Sequence, residues 1–246
     1  MLEIIISIVS VLALIFTVGL LFCGIPICFQ VKRQGQVGDI SGFPFITGIL
    51  VSPFWLRYGM LQNDLLLITM NIAAFTFMLS YTLFFLHYSK PKKNYLTQIL
   101  IVFITVSAMV AWVQIKPDAM LLGMACTVLN FINFGAPLAG LRVVIRDREV
   151  STLPFALISV QFMVTLLWFL YGGLVRDVFI MIPAATGMIL SAIQLFLFII
   201  FPRTKEDLSP LEKLAWWFTG RSRSQNLEES SEKSSSNTLS IASLKI

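Results

Sequence analysis

Residues 41–45 read Ser-Gly-Phe-Pro-Phe, and 110 positions later residues 151–155 read Ser-Thr-Leu-Pro-Phe. A second pair follows: residues 55–59 read Trp-Leu-Arg-Tyr-Gly, and residues 168–172 read Trp-Phe-Leu-Tyr-Gly, at an offset of 113. Self-similarity at a nearly constant offset indicates that one structural unit occurs twice. The chain is therefore predicted to contain a first repeat and a second repeat of the same fold.

The same register extends to both sides of these segments. Ile25-Pro26 matches Ala136-Pro137 at an offset of 111, and Asp64 matches Asp177 at an offset of 113. The order of the features is the same in both copies, and the offset changes by no more than three residues. Gaps of this size are typical of loops, so the differences in offset are compatible with one repeated fold.

The chain is too apolar for a water-soluble protein. Hydrophobic residues make up 57% and charged residues 13% of its 246 residues, against about 25% charged residues in ordinary globular domains. Seven stretches lack Asp, Glu, Lys and Arg, and a membrane-spanning helix needs roughly 20 apolar residues. A soluble enzyme, a disulfide scaffold and a disordered protein are excluded. The stretches are 4–30, 40–56, 65–89, 94–115, 119–141, 150–175 and 178–202.

These stretches predict an all-α membrane protein with seven transmembrane helices, of which the second is the shortest. The repeats place three helices in residues 1–93, one linker helix in 94–118 and three helices in 119–202, followed by a cytosolic tail in 203–246. A single helix between the copies gives both the same orientation in the membrane. The predicted architecture is thus a 3+1+3 parallel-repeat arrangement of two three-helix bundles.

The placement of the basic residues predicts the topology. Of the 18 Lys and Arg residues, 15 fall on the side of the odd-numbered loops and the C-terminal tail, and three, Arg57, Lys116 and Arg176, fall on the other. Because basic loops stay cytoplasmic, the N-terminus is predicted to be extracellular or lumenal and the C-terminus cytosolic. The net charge of +5 then needs no nucleic-acid partner. The plasma membrane is expected, with the Golgi or another internal membrane as the alternative.

Motifs for catalysis are missing from the sequence. There is no Walker loop, no Ser-His-Asp set and no cluster with metal-ligand spacing, so we expect no enzyme activity, cofactor or metal. No predicted span carries an acidic or basic residue in its interior. A proton-coupled pump usually needs such a residue, which favours a uniporter.

The repeated residues resemble the SWEET family of sugar facilitators. The resemblance covers residues 4–202 and rests on five features: a first-helix proline, Ser-x-x-Pro-Phe, Trp-x-x-Tyr-Gly, an aspartate five residues further on, and a polar third helix. The first four recur in the second repeat. The resemblance implies a bilayer-embedded, bidirectional carrier of a mono- or disaccharide that works by alternating access. The sequence leaves a homo-oligomer open.

The resemblance also implies a sugar site. Asn71, on the third helix, is expected to hydrogen-bond sugar hydroxyls, because an amide both donates and accepts. Trp55 and Trp168 are expected to offer flat apolar walls to the C–H faces of the sugar. The second repeat reads Pro183-Ala184 where the family usually has Pro-Asn. The cavity is therefore expected to lack one amide at Ala184 and to hold a hexose weakly, because fewer hydroxyls find partners.

Two gates are implied by the same resemblance. A proline inside a helix removes a backbone hydrogen bond and permits a kink. The hinges near the inner gate would be Pro26, Pro44, Pro137 and Pro154. The outer gate would be formed by Tyr58, Tyr171, Asp177 and Pro183.

Plainer interpretations of these positions stay open at this point. Asn71 is equally suited to an interhelical hydrogen bond, and tryptophan near a helix end is often only an interfacial belt residue. The prolines are also compatible with ordinary helix shape, and Asp177 with a solvated loop carboxylate beside Arg176.

Two other protein classes compete with the sugar facilitator. The first is an amino-acid carrier of the PQ-loop kind in an intracellular membrane. That class carries Pro-Gln in its first and fifth helices, whereas this chain has Pro26-Ile27 and Pro137-Leu138. The second is a seven-helix receptor, which the internal repeat and the short loops disfavour.

The tail is predicted to have two parts. Ser209-Pro210-Leu211-Glu212 is a capping-box pattern with proline at the first helical position. It predicts a short amphipathic helix on the cytosolic membrane surface. The Ser-rich segment 222–246 is polar and is expected to be disordered.

Overall fold

The computed structural model describes residues 1–38, 40–204 and 208–219. Within this part of the chain the regular structure is entirely helical, as the apolar stretches predict. The helices are α1 (Leu2–Leu21), α2 (Gly24–Gln34), α3 (Phe43–Gln62), α4 (Leu65–Tyr88), α5 (Lys92–Ile115), α6 (Ala119–Asn133), α7 (Gly135–Asp147), α8 (Phe155–Val175), α9 (Val178–Ile200) and α10 (Pro210–Thr219).

Most of these helices are long and apolar enough to cross a membrane. Among the described residues six segments meet that condition, with α1 and α2 forming one span and α6 and α7 another. The remaining candidate, α3, has 20 residues but is less apolar, since it includes Ser52, Pro53 and Arg57. It is the span predicted to be the shortest. It continues past Arg57 to Gln62, so Arg57 lies in the last turns of the helix.

Two spans are interrupted just before a predicted hinge proline. α1 gives way to α2 ahead of Pro26, and α6 gives way to α7 ahead of Pro137. Proline has no N–H and its ring clashes with the preceding turn, so a helix bends or breaks at this point. The interruptions occur at equivalent places in the two repeats.

The first interruption is braced by Tyr81 of α4. The hydroxyl group of Tyr81 donates a hydrogen bond to the carbonyl oxygen of Leu21 at 2.8 Å, and Tyr81 is buried. A Cβ atom on Gly24 would lie 2.6 Å from the Tyr81 ring. Only glycine therefore allows the ring to approach the break closely enough to make this bond.

Four further prolines occupy helix starts or helix interiors. Pro44 lies in the first turn of α3, and Pro154 directly precedes α8. A missing N–H is tolerated at a helix start, where it would have no intrahelical partner. Pro53 and Pro183 lie inside α3 and α9.

The chain divides into two compact units. Unit 1 contains Met1–Leu138 and Ser159–Ser191, and unit 2 contains Ala139–Ile158 and Ala192–Ile246. The helices α7, α8 and α9 each have residues in both. All the site residues predicted from the sequence belong to unit 1, except Pro154, which belongs to unit 2.

Unit 1 has a core in which α3, α5 and α6 meet. Tyr58, Val113, Leu122 and Cys126 are at most 1% exposed there. A second cluster joins α2, α3 and α4 through Val31, Phe45, Tyr81 and Phe85. These clusters fix α3 and α4, the two helices that carry most of the first-repeat site residues.

Unit 2 contains the predicted capping box. The backbone N–H of Ser209 donates to Glu212 Oε2 at 2.8 Å, and the backbone N–H of Glu212 donates to Ser209 Oγ at 3.0 Å. These reciprocal bonds satisfy two N–H groups at the start of α10. The segment 222–246, predicted to be disordered, lies outside the described residues.

Candidate functional site

A cavity of about 310 Å³, which we call the central cavity, is formed by helices of unit 1. Its wall contains all four residues to which the resemblance assigns sugar binding: Trp55, Asn71, Trp168 and Ala184. Among the described residues that line it, none is charged. The residue types suit a neutral ligand that has both apolar faces and hydrogen-bonding groups.

The two tryptophans make the same aromatic contact in the two repeats. The Trp55 ring meets the Tyr58 ring edge to face at a centroid distance of 5.6 Å, and the Trp168 ring meets the Tyr171 ring at 5.8 Å. Trp55 is only 7% exposed, which does not fit an interfacial belt residue. Each indole is thus held between the cavity and a tyrosine one helical turn further on.

The Trp168 indole is also held by a hydrogen bond. Its Nε1–H donates to Thr17 Oγ1 of α1 at 3.0 Å, a contact between the two repeats. The repeat offset of 111 places Val128 at the position equivalent to Thr17. Valine cannot accept a hydrogen bond, so Trp55 lacks the corresponding contact.

Asn71 does not make the interhelical hydrogen bond that was the plainer interpretation. Its Nδ2 donates to the carbonyl oxygen of Leu67 on its own helix at 2.8 Å. Its Oδ1 makes no hydrogen bond to the described part of the chain. One acceptor and one further N–H therefore stay available at the cavity wall.

Three amide side chains of the cavity wall were missed by the sequence analysis. Asn130 and Asn133 of α6 and Gln161 of α8 line the cavity beside the predicted residues. Asn71 was selected because polar residues at membrane depth tend to face the bundle interior. These three residues also lie in apolar spans, so the same rule would have found them. They escaped notice because none has a polar partner at the equivalent position of the first repeat.

In addition to the bond from Trp168 to Thr17, two hydrogen bonds join the repeats in a reciprocal manner. The Tyr58 hydroxyl donates to Asp177 Oδ2 and the Tyr171 hydroxyl donates to Asp64 Oδ2, each at 2.7 Å. We refer to Tyr58, Asp177, Tyr171 and Asp64 as the tyrosine–aspartate cluster. Asp64 was recognised in the repeat but was not predicted as a gate residue.

The aspartates of this cluster also cap helices. Asp64 Oδ1 accepts from the backbone N–H of Leu67 at the start of α4, and Asp177 Oδ1 accepts from the backbone N–H of Phe179 at the start of α9. An N-cap side chain satisfies an N–H that has no partner within the helix. One carboxylate oxygen therefore fixes the aspartate to its own helix, while the other joins it to the opposite repeat.

The glycine of the Trp-x-x-Tyr-Gly motif permits this arrangement. A Cβ atom on Gly59 would lie 2.8 Å from Leu67 Cβ, and one on Gly172 would lie 2.9 Å from the backbone nitrogen of Met181. The following turns close with hydrogen bonds from the backbone N–H of each aspartate to the glycine carbonyl, at 2.9 and 2.8 Å. The motif thus sets the aspartate beside the tyrosine of the other repeat.

The cluster is not fully symmetric. Gln62 Nε2 donates to the Tyr58 hydroxyl oxygen at 3.2 Å, whereas the equivalent residue in the second repeat is Val175. A second pocket, of about 930 Å³, lies beside the cluster. Pro183, which was assigned to the outer gate, lines the central cavity and is absent from the described residues that line this second pocket.

Comparisons with known proteins extend these observations. The sequence model of the family described as "Sugar efflux transporter for intercellular exchange" matches residues 7–93 and, separately, residues 120–206. The chain is 49% identical over 229 residues to "Sugar transporter SWEET1" of Caenorhabditis elegans, an alignment that covers 93% of this chain and 77% of that protein. It is 29% identical to "Bidirectional sugar transporter SWEET5" of Arabidopsis thaliana, covering 80% of this chain and 87% of that protein.

A solved structure has the same fold. The structure described as "The 3.7 A resolution structure of a eukaryotic SWEET transporter" superposes with a TM-score of 0.74 at 25% sequence identity. The superposition covers 80% of this chain and 96% of that one. The match of the family model to both halves of the chain and the 49% identical relative establish that this chain belongs to the SWEET family of sugar transporters.

Proposed function

We propose that this protein is a facilitative, bidirectional sugar carrier that works by alternating access as a uniporter. Membership of the family makes it an integral membrane protein that transports sugar, and not an enzyme. The substrate, a mono- or disaccharide, would bind in the central cavity. The plasma membrane is the proposed location.

The observation that carries this proposal is the composition of the cavity wall. Two indoles and an amide face one cavity of about 310 Å³, whose described lining residues are all uncharged. A sugar combines apolar C–H faces, which suit aromatic rings, with hydroxyl groups, which suit amides. An amino acid carries two charges, and burying them without charged or metal partners is unfavourable. The cavity therefore favours the sugar over the amino-acid carrier.

Alternating access would use the tyrosine–aspartate cluster as the outer gate. The cluster lies where α3 turns into α4 and where α8 turns into α9, and both turns face the exterior or lumen in the predicted topology. Opening this end would break the two cross-repeat hydrogen bonds but leave both helix caps in place. Pro26, Pro44, Pro137 and Pro154 are proposed as hinges for the inner gate.

We expect transport to run in both directions and to be independent of proton and sodium gradients, because none of the described residues that line the cavity carries a charge that could couple to them. The test is uptake and counterflow of labelled glucose in liposomes containing the purified protein, with and without an uncoupler. Liposomes without protein are the control. Accumulation above equilibrium that the uncoupler abolishes would contradict the uniport mechanism.

Asn71→Ala should weaken sugar binding with little effect on folding. One hydrogen bond to a neutral sugar is worth about 0.5–1.5 kcal/mol, or roughly two- to twelve-fold in affinity. The bond from Asn71 to Leu67 lies within one helix whose backbone ladder stays intact. The measurement is the KM for uptake together with the amount of protein in the membrane. Wild-type uptake at normal abundance would assign Asn71 a structural role.

A further inference from the structure

We propose that the amides of Asn130, Asn133 and Gln161 bind the sugar hydroxyls that Ala184 cannot bind. Most of the hydrogen-bonded hydroxyl groups of the sugar then face the second repeat. The inference rests on the sugar-carrier function proposed above and names the side chains that set its specificity. With these three amides in the cavity, a hexose no longer needs to bind weakly for lack of an amide at Ala184.

The three amides are available to a ligand. Each lines the central cavity and is half-buried there. Within the part of the chain that the structure describes, none of their side chains makes a hydrogen bond to the protein. A buried amide without protein partners normally bonds water or ligand. Together they offer more donors and acceptors than the single amide missing at Ala184.

The distribution of these amides between the repeats is unequal. The offset of 111 pairs Asn130 with Gly19 and Asn133 with Phe22, and the offset of 113 pairs Gln161 with Gly48. None of the three first-repeat residues has a polar side chain. Among the described residues that line the cavity, the first repeat therefore contributes one amide, Asn71, and the second repeat contributes three.

Packing explains why position 48 carries no amide. A Cβ atom on Gly48 would lie 2.5 Å from Met78 Cγ, so Met78 of α4 fills that space. The residue equivalent to Met78 in the second repeat is Ser191. Its side chain is small, and its hydroxyl donates to the carbonyl oxygen of Gly187 on its own helix at 2.7 Å. The second repeat thus combines a small residue with Gln161 where the first repeat combines Gly48 with a large one.

The hydroxyl of Thr186 does not replace the amide missing at Ala184. Thr186, two residues away, does not line the cavity, and its hydroxyl donates to the carbonyl oxygen of Ile182 at 3.0 Å. Each sugar hydroxyl that leaves water needs a hydrogen-bond partner. The groups that can meet this need on the side of the second repeat are those of α6 and α8.

The test compares glucose with a panel of singly deoxygenated glucoses in the liposome assay. Asn133→Leu and Gln161→Leu should each raise the KM for glucose roughly two- to twelve-fold, the value of one neutral hydrogen bond. In the wild-type protein, removing a sugar hydroxyl that bonds one of these amides should raise the KM. In the variant that lacks this amide, removing the same hydroxyl should no longer raise the KM, because the hydroxyl has no partner there. Ala184→Asn in the Gln161→Leu background should recover part of the loss.

Thr186→Val is the matched control and should leave the KM and the deoxy-sugar pattern unchanged. The pattern separates binding from folding, since a structural defect would affect all sugars alike. Wild-type KM and pattern in both leucine variants, with tighter glucose binding in Ala184→Asn alone, would overturn this inference and leave the sugar-carrier function standing. Failure of the wild-type protein to move any of these sugars would overturn that function, and this inference with it.

Discussion

Trp168→Ala should reduce sugar affinity by about two orders of magnitude. An aromatic side chain buries 150–250 Å², and about 100 Å² of that would face the sugar in the central cavity. At about 25 cal/mol per Å² the loss is about 2.5 kcal/mol, or about 70-fold. The change also removes the edge-to-face partner of Tyr171. The measurement is the KM for uptake, normalised to protein in the membrane.

Two phenylalanine variants separate the ring from its N–H group. Trp168→Phe keeps a flat apolar face but loses the hydrogen bond to Thr17 Oγ1, so its loss should be intermediate. Trp55→Phe is the matched control, because Trp55 makes no such bond to the described residues. It should be milder than Trp168→Phe. Equal losses in Trp168→Phe and Trp168→Ala would indicate that the N–H, and not the ring area, is what matters.

The repeat accounts for what could be predicted from the sequence. Trp55 and Trp168, or Tyr58 and Tyr171, become informative only as pairs, since an isolated tryptophan near a helix end indicates little. The structure gives both pairs the same edge-to-face contact between tryptophan and tyrosine. The position of the helix interruptions was also accessible, because Pro26 and Pro137 mark them through a property of proline itself.

What could not be predicted is where the repeats differ. Asn130, Asn133 and Gln161 have no polar counterpart in the first repeat, so a comparison of the repeats passes over them. The bonds from Trp168 to Thr17 and from Gln62 to Tyr58 depend on distances that spacing along the chain does not determine. The partner of Tyr171 could not be predicted either. Asp177 is only six residues away along the chain, but in the fold Asp64 of the other repeat accepts the hydrogen bond from Tyr171.

The central cavity and the tyrosine–aspartate cluster are connected through neighbouring side chains. Trp55 contacts Tyr58, which bonds Asp177, and Trp168 contacts Tyr171, which bonds Asp64. Each connection begins in one repeat and ends in the other. A sugar that displaces either indole would therefore disturb a hydrogen bond that holds the two repeats together. This geometry offers a physical link between occupancy of the cavity and opening of the proposed outer gate.

Asp177→Asn should stop most net uptake while the protein stays folded and abundant. Asparagine is as good an N-cap as aspartate, so the bond to the N–H of Phe179 is kept. The Tyr58 hydroxyl loses its carboxylate acceptor. A hydrogen bond to a charged group is worth about 1.5–3 kcal/mol, so the closed state of the gate should lose roughly ten- to 150-fold in population. A carrier that cannot close one end cannot complete its cycle.

Asp118→Asn is the control that separates capping from gating. Asp118 Oδ1 accepts from the backbone N–H of Leu121 at the start of α6, and Asp118 makes no cross-repeat hydrogen bond to the described residues. Its uptake should match that of the wild-type protein. Asp177→Ala, which also loses the cap, should lose about 1 kcal/mol of folding stability. It should therefore be less abundant in the membrane than Asp177→Asn. If Asp177→Asn transported at the wild-type rate, the bond from Tyr58 would be structural, because α9 is still capped and only the contact between the repeats has changed.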